Sequence, residues 1–192
     1  MDIETLYHRT VDGWAARVEA VGADQWAATT PCEDWDVRAL VNHVVGEDLW
    51  TEPLVRGETI EEVGDRFDGD LLGDDPRSTA VRAAGLASAA VADALPARKA
   101  VHLSYGEEDL EEYVAQLAAD HLIHGWDLAA ATGGDTTLDG DVVEAVAAWF
   151  SEREEMYRQG GVIGPRVDGV PGDAQSQLLA HFGRDSRWAP PG

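Results

Sequence analysis

One stretch constrains this chain more than any other: Asp120-His121-Leu122-Ile123-His124-Gly125-Trp126-Asp127. It lies inside a helical pattern running from about Glu107 to Thr132. At about 100° per residue, Leu110, Val114, Leu117 and Leu128 share one side of that helix. His121 and His124 fall in the same apolar stripe, with Asp120 and Asp127 at its edge. Ionisable groups in such a stripe cost free energy unless each finds a partner. Asp120 and His124 stand at i and i+4, so their side chains converge on one point. A metal ion satisfies both, and so does a plain Asp–His hydrogen bond.

The rest of the chain reads as helices around that stretch. Asp2 caps a first helix to about Ala20, with Gly22 beyond its end. The run Thr29-Thr30-Pro31-Cys32-Glu33-Asp34-Trp35 is a loop by its proline and small polar residues. Asp36 caps a second helix to about Arg56, with Val37, Leu40, Val41 and Val44 as its core stripe and Gly57 closing it. Beside that stripe run His43, Glu47, Trp50 and Leu54, so His43 borders the core. A helical turn at Thr59 to Gly64 leads into an acidic, Gly-rich connection, Asp65 to Asp75. The Ala-rich run Ser78 to Ala94 predicts a third helix, stopped by Pro96, and Val101 to Tyr105 a short strand or extended link. The central helix ends at Gly133-Gly134. A fifth helix is expected from about Asp139 to Gln159, then an extended segment Val162 to Val170 and a last short helix from Asp173 to Gly183.

This pattern predicts a mainly α protein: a four-helix bundle with additional short helices and an extended C-terminal segment, forming a single domain over residues 1–192. Bundles build metal and ligand sites from side chains of facing helices. His43 on one helix and Asp120 with His124 on another suit a three-ligand site with one open position, the pattern of catalytic zinc. His121 reads as a core-edge histidine bonded to a backbone carbonyl, and Asp127 as an outer partner of a ligand. Glu47, one turn after His43, can support it or act as a base. Cys32 reads as a small core residue, and Ser104 and Ser176 lie in no hydrolase motif.

Composition removes several classes of function. A formal charge of −23, from 37 acidic against 14 basic residues, repels nucleic acid and anionic membrane. The lone cysteine excludes an internal disulfide and Cys-rich zinc sites, and fits a reducing cytoplasm. Met1-Asp2-Ile3-Glu4 has no basic region followed by an apolar run, so no signal peptide is expected, and no stretch reads as membrane-spanning. A single lysine, Lys99, among many Arg and Ala matches a GC-rich, actinobacterial-type genome.

Three segments together carry a resemblance. Thr30-Pro31-Cys32-x-x-Trp35-Asp36-Val37-Arg38-x-Leu40-Val41-x-His43 resembles the opening of the mycothiol-dependent maleylpyruvate isomerase N-terminal domain, a member of the DinB-like metal-binding superfamily. His124-Gly125-Trp126-Asp127-Leu128-Ala129-x-Ala131-Thr132-Gly133 resembles its second signature. The tail, with Gly164-Pro165, Pro171-x-Asp173-Ala174 and Leu178-Leu179-Ala180-x-Phe182-Gly183-Arg184-Asp185, is similar to small actinobacterial members. The resemblance implies a DinB-like bundle holding a divalent metal, usually zinc, on His43, Asp120 and His124. It further implies mycothiol as a co-substrate thiol, with an electrophile as the second small-molecule partner. Asp120 is one methylene shorter than the Glu of the isomerases, so direct ligation needs closer helices or a bridging water. The isomerases also carry a further C-terminal domain, whereas this chain stops soon after Trp188. The expectation is therefore a thiol-dependent transferase or isomerase-type enzyme of unspecified substrate. A non-catalytic metal or small-molecule binding module is the alternative, and a metal-free helical protein a third reading. Oligomeric state, a homodimer included, is not written in the sequence.

Overall fold

A computed structural model describes residues 1–97 and 99–190. The protein is mainly α, as expected. Helices α1 (Ile3–Ala20), α2 (Val37–Val55), α4 (Pro76–Ala94) and α5 (Leu110–Thr132) carry the core, joined by α3 (Ile60–Val63) and followed by α6 (Gly140–Ser151), α7 (Glu154–Gln159) and α8 (Ala174–His181). The four long helices form a closed ring: α1 packs on α5 and α4, and α2 packs on α4 and α5. Each long helix starts behind an aspartate cap. Asp2, Asp36, Asp75 and Asp109 each accept a hydrogen bond from a first-turn backbone N–H, satisfying donors that the helix leaves open. Gly133 ends α5 at φ +68°, a left-handed C-cap that glycine adopts without strain.

Val37, Leu40, Val41 and Val44 are fully buried. Opposite them α4 presents Ala80, Ala83, Ala84 and Ala87. These small side chains let α2 and α4 approach closely. Helix α5 is the axis of the molecule, since nearly every residue from Ala118 to Ala131 is buried. Asp127, expected at the edge of its stripe, is completely buried.

Three expectations are corrected. The fourth long helix begins at Leu110 rather than Glu107, because Gly106–Glu108 pairs antiparallel with Val101–Leu103 as strands β1 and β2. Ser104 and Tyr105 turn that hairpin, and Asp109 then starts the helix by accepting from the Glu111 N–H. The third helix starts at Pro76, two residues before Ser78, with proline at a position that needs no N–H. The helix expected from Asp139 to Gln159 breaks after Ser151. Its break lies at Arg153, which leaves helical geometry and grips Glu112 of α5 through two bonds of 2.6 and 2.7 Å. A charge-assisted bidentate pair outweighs one turn of helix there. Among the described residues, no helix is long and apolar enough to cross a membrane.

Candidate metal centre

Two helices and one loop build the site. Helix α2 supplies His43 from the edge of its buried face, and α5 supplies Asp120 and His124 one turn apart. The side chains converge: His124 Nε2 lies 3.4 Å from Asp120 Oδ1, and His43 Nε2 lies 3.7 Å from the same oxygen. All three donor atoms fall within 4.8 Å of one another. In a tetrahedral site with bonds of about 2.1 Å, ligand atoms stand about 3.4 Å apart. The two measured spacings are close to that figure, so the short side chain of Asp120 does not hold the donors apart.

His124 uses its two nitrogens differently. Nδ1 faces Asp127 Oδ2 at 3.0 Å, while Nε2 faces Asp120. A carboxylate on Nδ1 fixes the proton there and leaves Nε2 as the donor to a cation. Asp127 is in turn held by Arg184, whose Nη2 lies 2.9 Å from Oδ2, and it accepts from the Cys32 thiol at 3.1 Å. The Arg184 Nη2 also donates to the Cys32 sulfur at 3.1 Å, and Nη1 donates to the Phe182 carbonyl. Cys32, His124 and Asp127 are thus a second triad of metal-ligating types. The guanidinium of Arg184 already supplies the positive charge that this triad needs.

The loop before α2 closes the other side. Thr30 Oγ1 accepts from the Cys32 N–H and donates to the Trp35 carbonyl. Asp34 takes a left-handed φ of 73°, a conformation Asp and Asn tolerate better than most residues. The result seats Trp35 over both imidazoles, with ring centroids 4.8 Å from His43 and 5.9 Å from His124.

Charge follows from this packing. Burial pushes Asp120 up, but the imidazoles of His124 and His43 outweigh it and hold the carboxyl well below its usual range. Burial pushes His124 down, yet Asp120, Asp127 and Cys32 lift it well above an ordinary histidine. For Asp127, burial is opposed by the His124 hydrogen bond and by Arg184, and the carboxyl ends up lowered. Glu47 is raised, first by burial and then by the nearby Asp120 charge, with His43 opposing. The remaining Asp120 oxygen, Oδ2, is shut off from solvent and has no hydrogen-bond partner. A buried carboxylate oxygen left open beside two imidazoles fits a cation-binding set of donors.

His121 sits elsewhere, as the sequence suggests. Its Nδ1 donates to the Leu117 carbonyl at 2.8 Å. Its Nε2 meets Asp48 Oδ1 at 3.1 Å in a wholly buried pair that pins α2 to α5 below the site. Sequence reasoning missed Asp48, although an acid at i+4 after the buried Val44, followed by buried Thr51 and Val55, is a visible breach of an apolar stripe. It also missed Arg184, which lies 57 residues from Asp127 and carries no local signal. Cys32 was expected as a plain core residue. It is half-buried and wired to Asp127 and Arg184 instead.

Residues 7–129, more than half of the chain, match the family described as mycothiol maleylpyruvate isomerase N-terminal domain. Two curated relatives from Mycobacterium tuberculosis, the uncharacterized proteins Rv0738 (strain H37Rv) and MT0763 (strain CDC 1551 / Oshkosh), are each 34% identical over 197 residues. Each alignment covers 97% of this chain and 100% of the relative. No solved structure matches the chain. The first signature segment and the start of the second lie within the matched region, and the imidazoles of His43 and His124 that they carry meet in space; the chain belongs to the mycothiol maleylpyruvate isomerase N-terminal domain family.

Proposed function

We propose that this protein is a cytoplasmic, thiol-dependent metalloenzyme of the transferase or isomerase type. His43, Asp120 and His124 hold one divalent cation, zinc first among the candidates, and mycothiol is the thiol that the family's name points to. The observation that carries this reading is the meeting of Asp120 Oδ1 with the Nε2 atoms of His43 and His124 at ligand-like spacing, on a carboxylate whose Oδ2 is buried and unpartnered. A divalent ion bound there would supply Lewis acidity, which lets a thiol ionise near neutral pH.

The chain's own residues do the rest. The Asp127 carboxylate holds the proton on His124 Nδ1 and so aims Nε2 at the site. Trp35 covers one side of both rings and keeps water from it. Glu47, one turn after His43 on α2 and close enough to feel the charges of His43 and Asp120, is the candidate base for the thiol proton. A non-catalytic binding module is the second reading, and the same set of donor atoms serves it.

Metal analysis after zinc loading tests the first half: about one equivalent is expected, and less than about a tenth of an equivalent rejects the site. Incubating the loaded protein with a thiol and a panel of electrophiles tests the second half. Metal-dependent conjugation supports an enzyme, and its absence across the panel leaves the binder.

A further inference from the structure

The matched family region stops at residue 129, yet the wall that closes over the site from the far side of α5 comes from residues 149–184. Between that wall and α5 lies a cavity of about 120 Å³. Asp120, His124 and Ile123 line it from α5, and Trp149, Tyr157 and Phe182 face them. We infer that this cavity binds a neutral, flat, mainly apolar molecule of about one six-membered ring, seated against the Asp120 and His124 side chains. Its role as seat of the second substrate rests on the metal reading above; the pocket itself does not.

Size sets the first limit. An apolar cavity of about 150 Å³ accepts benzene, so 120 Å³, lined by Gln116, Asp120, His124 and Arg184 as well as by rings, admits at most a single small ring with a polar atom, or an equally compact chain. Rigidity sets the second. Trp149 is fixed by its Nε1 donating to both Glu112 oxygens and by the Arg153 guanidinium 5.3 Å over its ring. Phe182 is stacked on Phe150 at 4.0 Å, and Tyr157 packs edge-on against Trp149. Rings already held in place lose little entropy when a flat ligand slides between them.

Charge sets the third limit. Arg184 lines the cavity, but it already bonds Asp127, Cys32 and the Phe182 carbonyl. It therefore has little to offer an anion, and a chain carrying −23 repels one at long range. An organic cation meets the paired imidazoles that already face Asp120 Oδ1, and with a divalent ion on those residues it would meet that positive charge as well. What the lining selects is a neutral body with one polar atom at the Asp120 end. Val162, 67% exposed, forms the lip through which such a molecule enters.

The test uses fluorine NMR on the full chain, with and without zinc, titrating 4-fluorobenzyl alcohol, 4-fluorobenzoate and 4-fluorobenzylamine. Metal content is measured on the same samples. The alcohol is expected to bind at least about tenfold more tightly than either charged probe. Ala119→Phe, which fills the cavity, should abolish that binding. Val162→Trp, at an exposed lip where folding is not at risk, should weaken it by about tenfold and leave zinc content unchanged. Equal binding of the three probes, or a Val162→Trp protein that binds as the parent does, overturns the inference. Zinc retained without probe binding sinks the pocket alone, whereas probe binding without zinc sinks the metal reading alone.

Discussion

The two edges of the His124 ring make the most instructive comparison in this molecule. On the Nδ1 edge, Asp127 and Cys32 are gathered around a positive charge that the chain supplies itself, the guanidinium of Arg184. On the Nε2 edge, Asp120 and His43 are gathered with no basic side chain other than the imidazoles among the described residues, and one carboxylate oxygen has no hydrogen-bond partner there. Donor chemistry is similar on both edges, so the difference lies in what completes each. One is a closed structural device, and the other, on the proposed metal reading, is a socket.

The largest expected effect breaks the closed edge. Asp127→Ala leaves Arg184 mostly buried without its counter-charge, and losing one partner of such a pair costs about 3–5 kcal/mol. Denaturant unfolding of the metal-free protein measures it. Asp120→Ala, at a half-exposed position, is expected to cost much less, and equal losses at the two positions would erase the distinction. Next comes the socket: His43→Ala should lower zinc affinity by at least about 100-fold, beyond the range of outer partners, as read by competition with a chelator. An unchanged affinity moves the ion elsewhere.

The two edges also differ in pH dependence. His124 is raised above 6.5 in the folded, metal-free chain. Its pairing therefore contributes stability that is fully present below 6.5 and fades as pH rises through the raised value. Asp120 is depressed below 3.8, so its share is present above 3.8 and is lost as pH falls through the lowered value. Because a proton on Nε2 competes with the metal, zinc affinity should climb with pH across that upper range while metal-free stability declines. Parallel rather than opposed trends would separate His124 from the ion. A smaller effect is expected for Arg184→Lys, which keeps the charge but not the fork, with zinc affinity falling about tenfold through Asp127. Smallest is Cys32→Ser, whose unfolding free energy should change by no more than about 1 kcal/mol and whose zinc content should not change. Loss of zinc in that variant would make Cys32 a ligand.

Much of this was legible beforehand, for a definite reason. Aspartate caps, the Ala-rich third helix and the period of α5 are local signals, and they fixed helix positions to within a few residues. The i, i+4 pair Asp120 and His124 is likewise local, because helix geometry alone brings those side chains together. The break at Arg153 was not legible, since a bond to Glu112, 41 residues away, decided it. Of the hairpin before α5 only the first strand was legible, expected within Val101 to Tyr105; the Gly106–Glu108 stretch could equally begin a helix until Val101–Leu103 paired with it.

The sequence alone determined a helical protein with two imidazoles and a carboxylate on facing core edges, because spacing along a helix dictates direction. Tertiary structure decided which charges are completed from within. Arg184 reaches Asp127 across 57 residues to close one edge of His124, while Asp120 keeps an open oxygen. That choice depends on where the last quarter of the chain packs, and no local pattern encodes it.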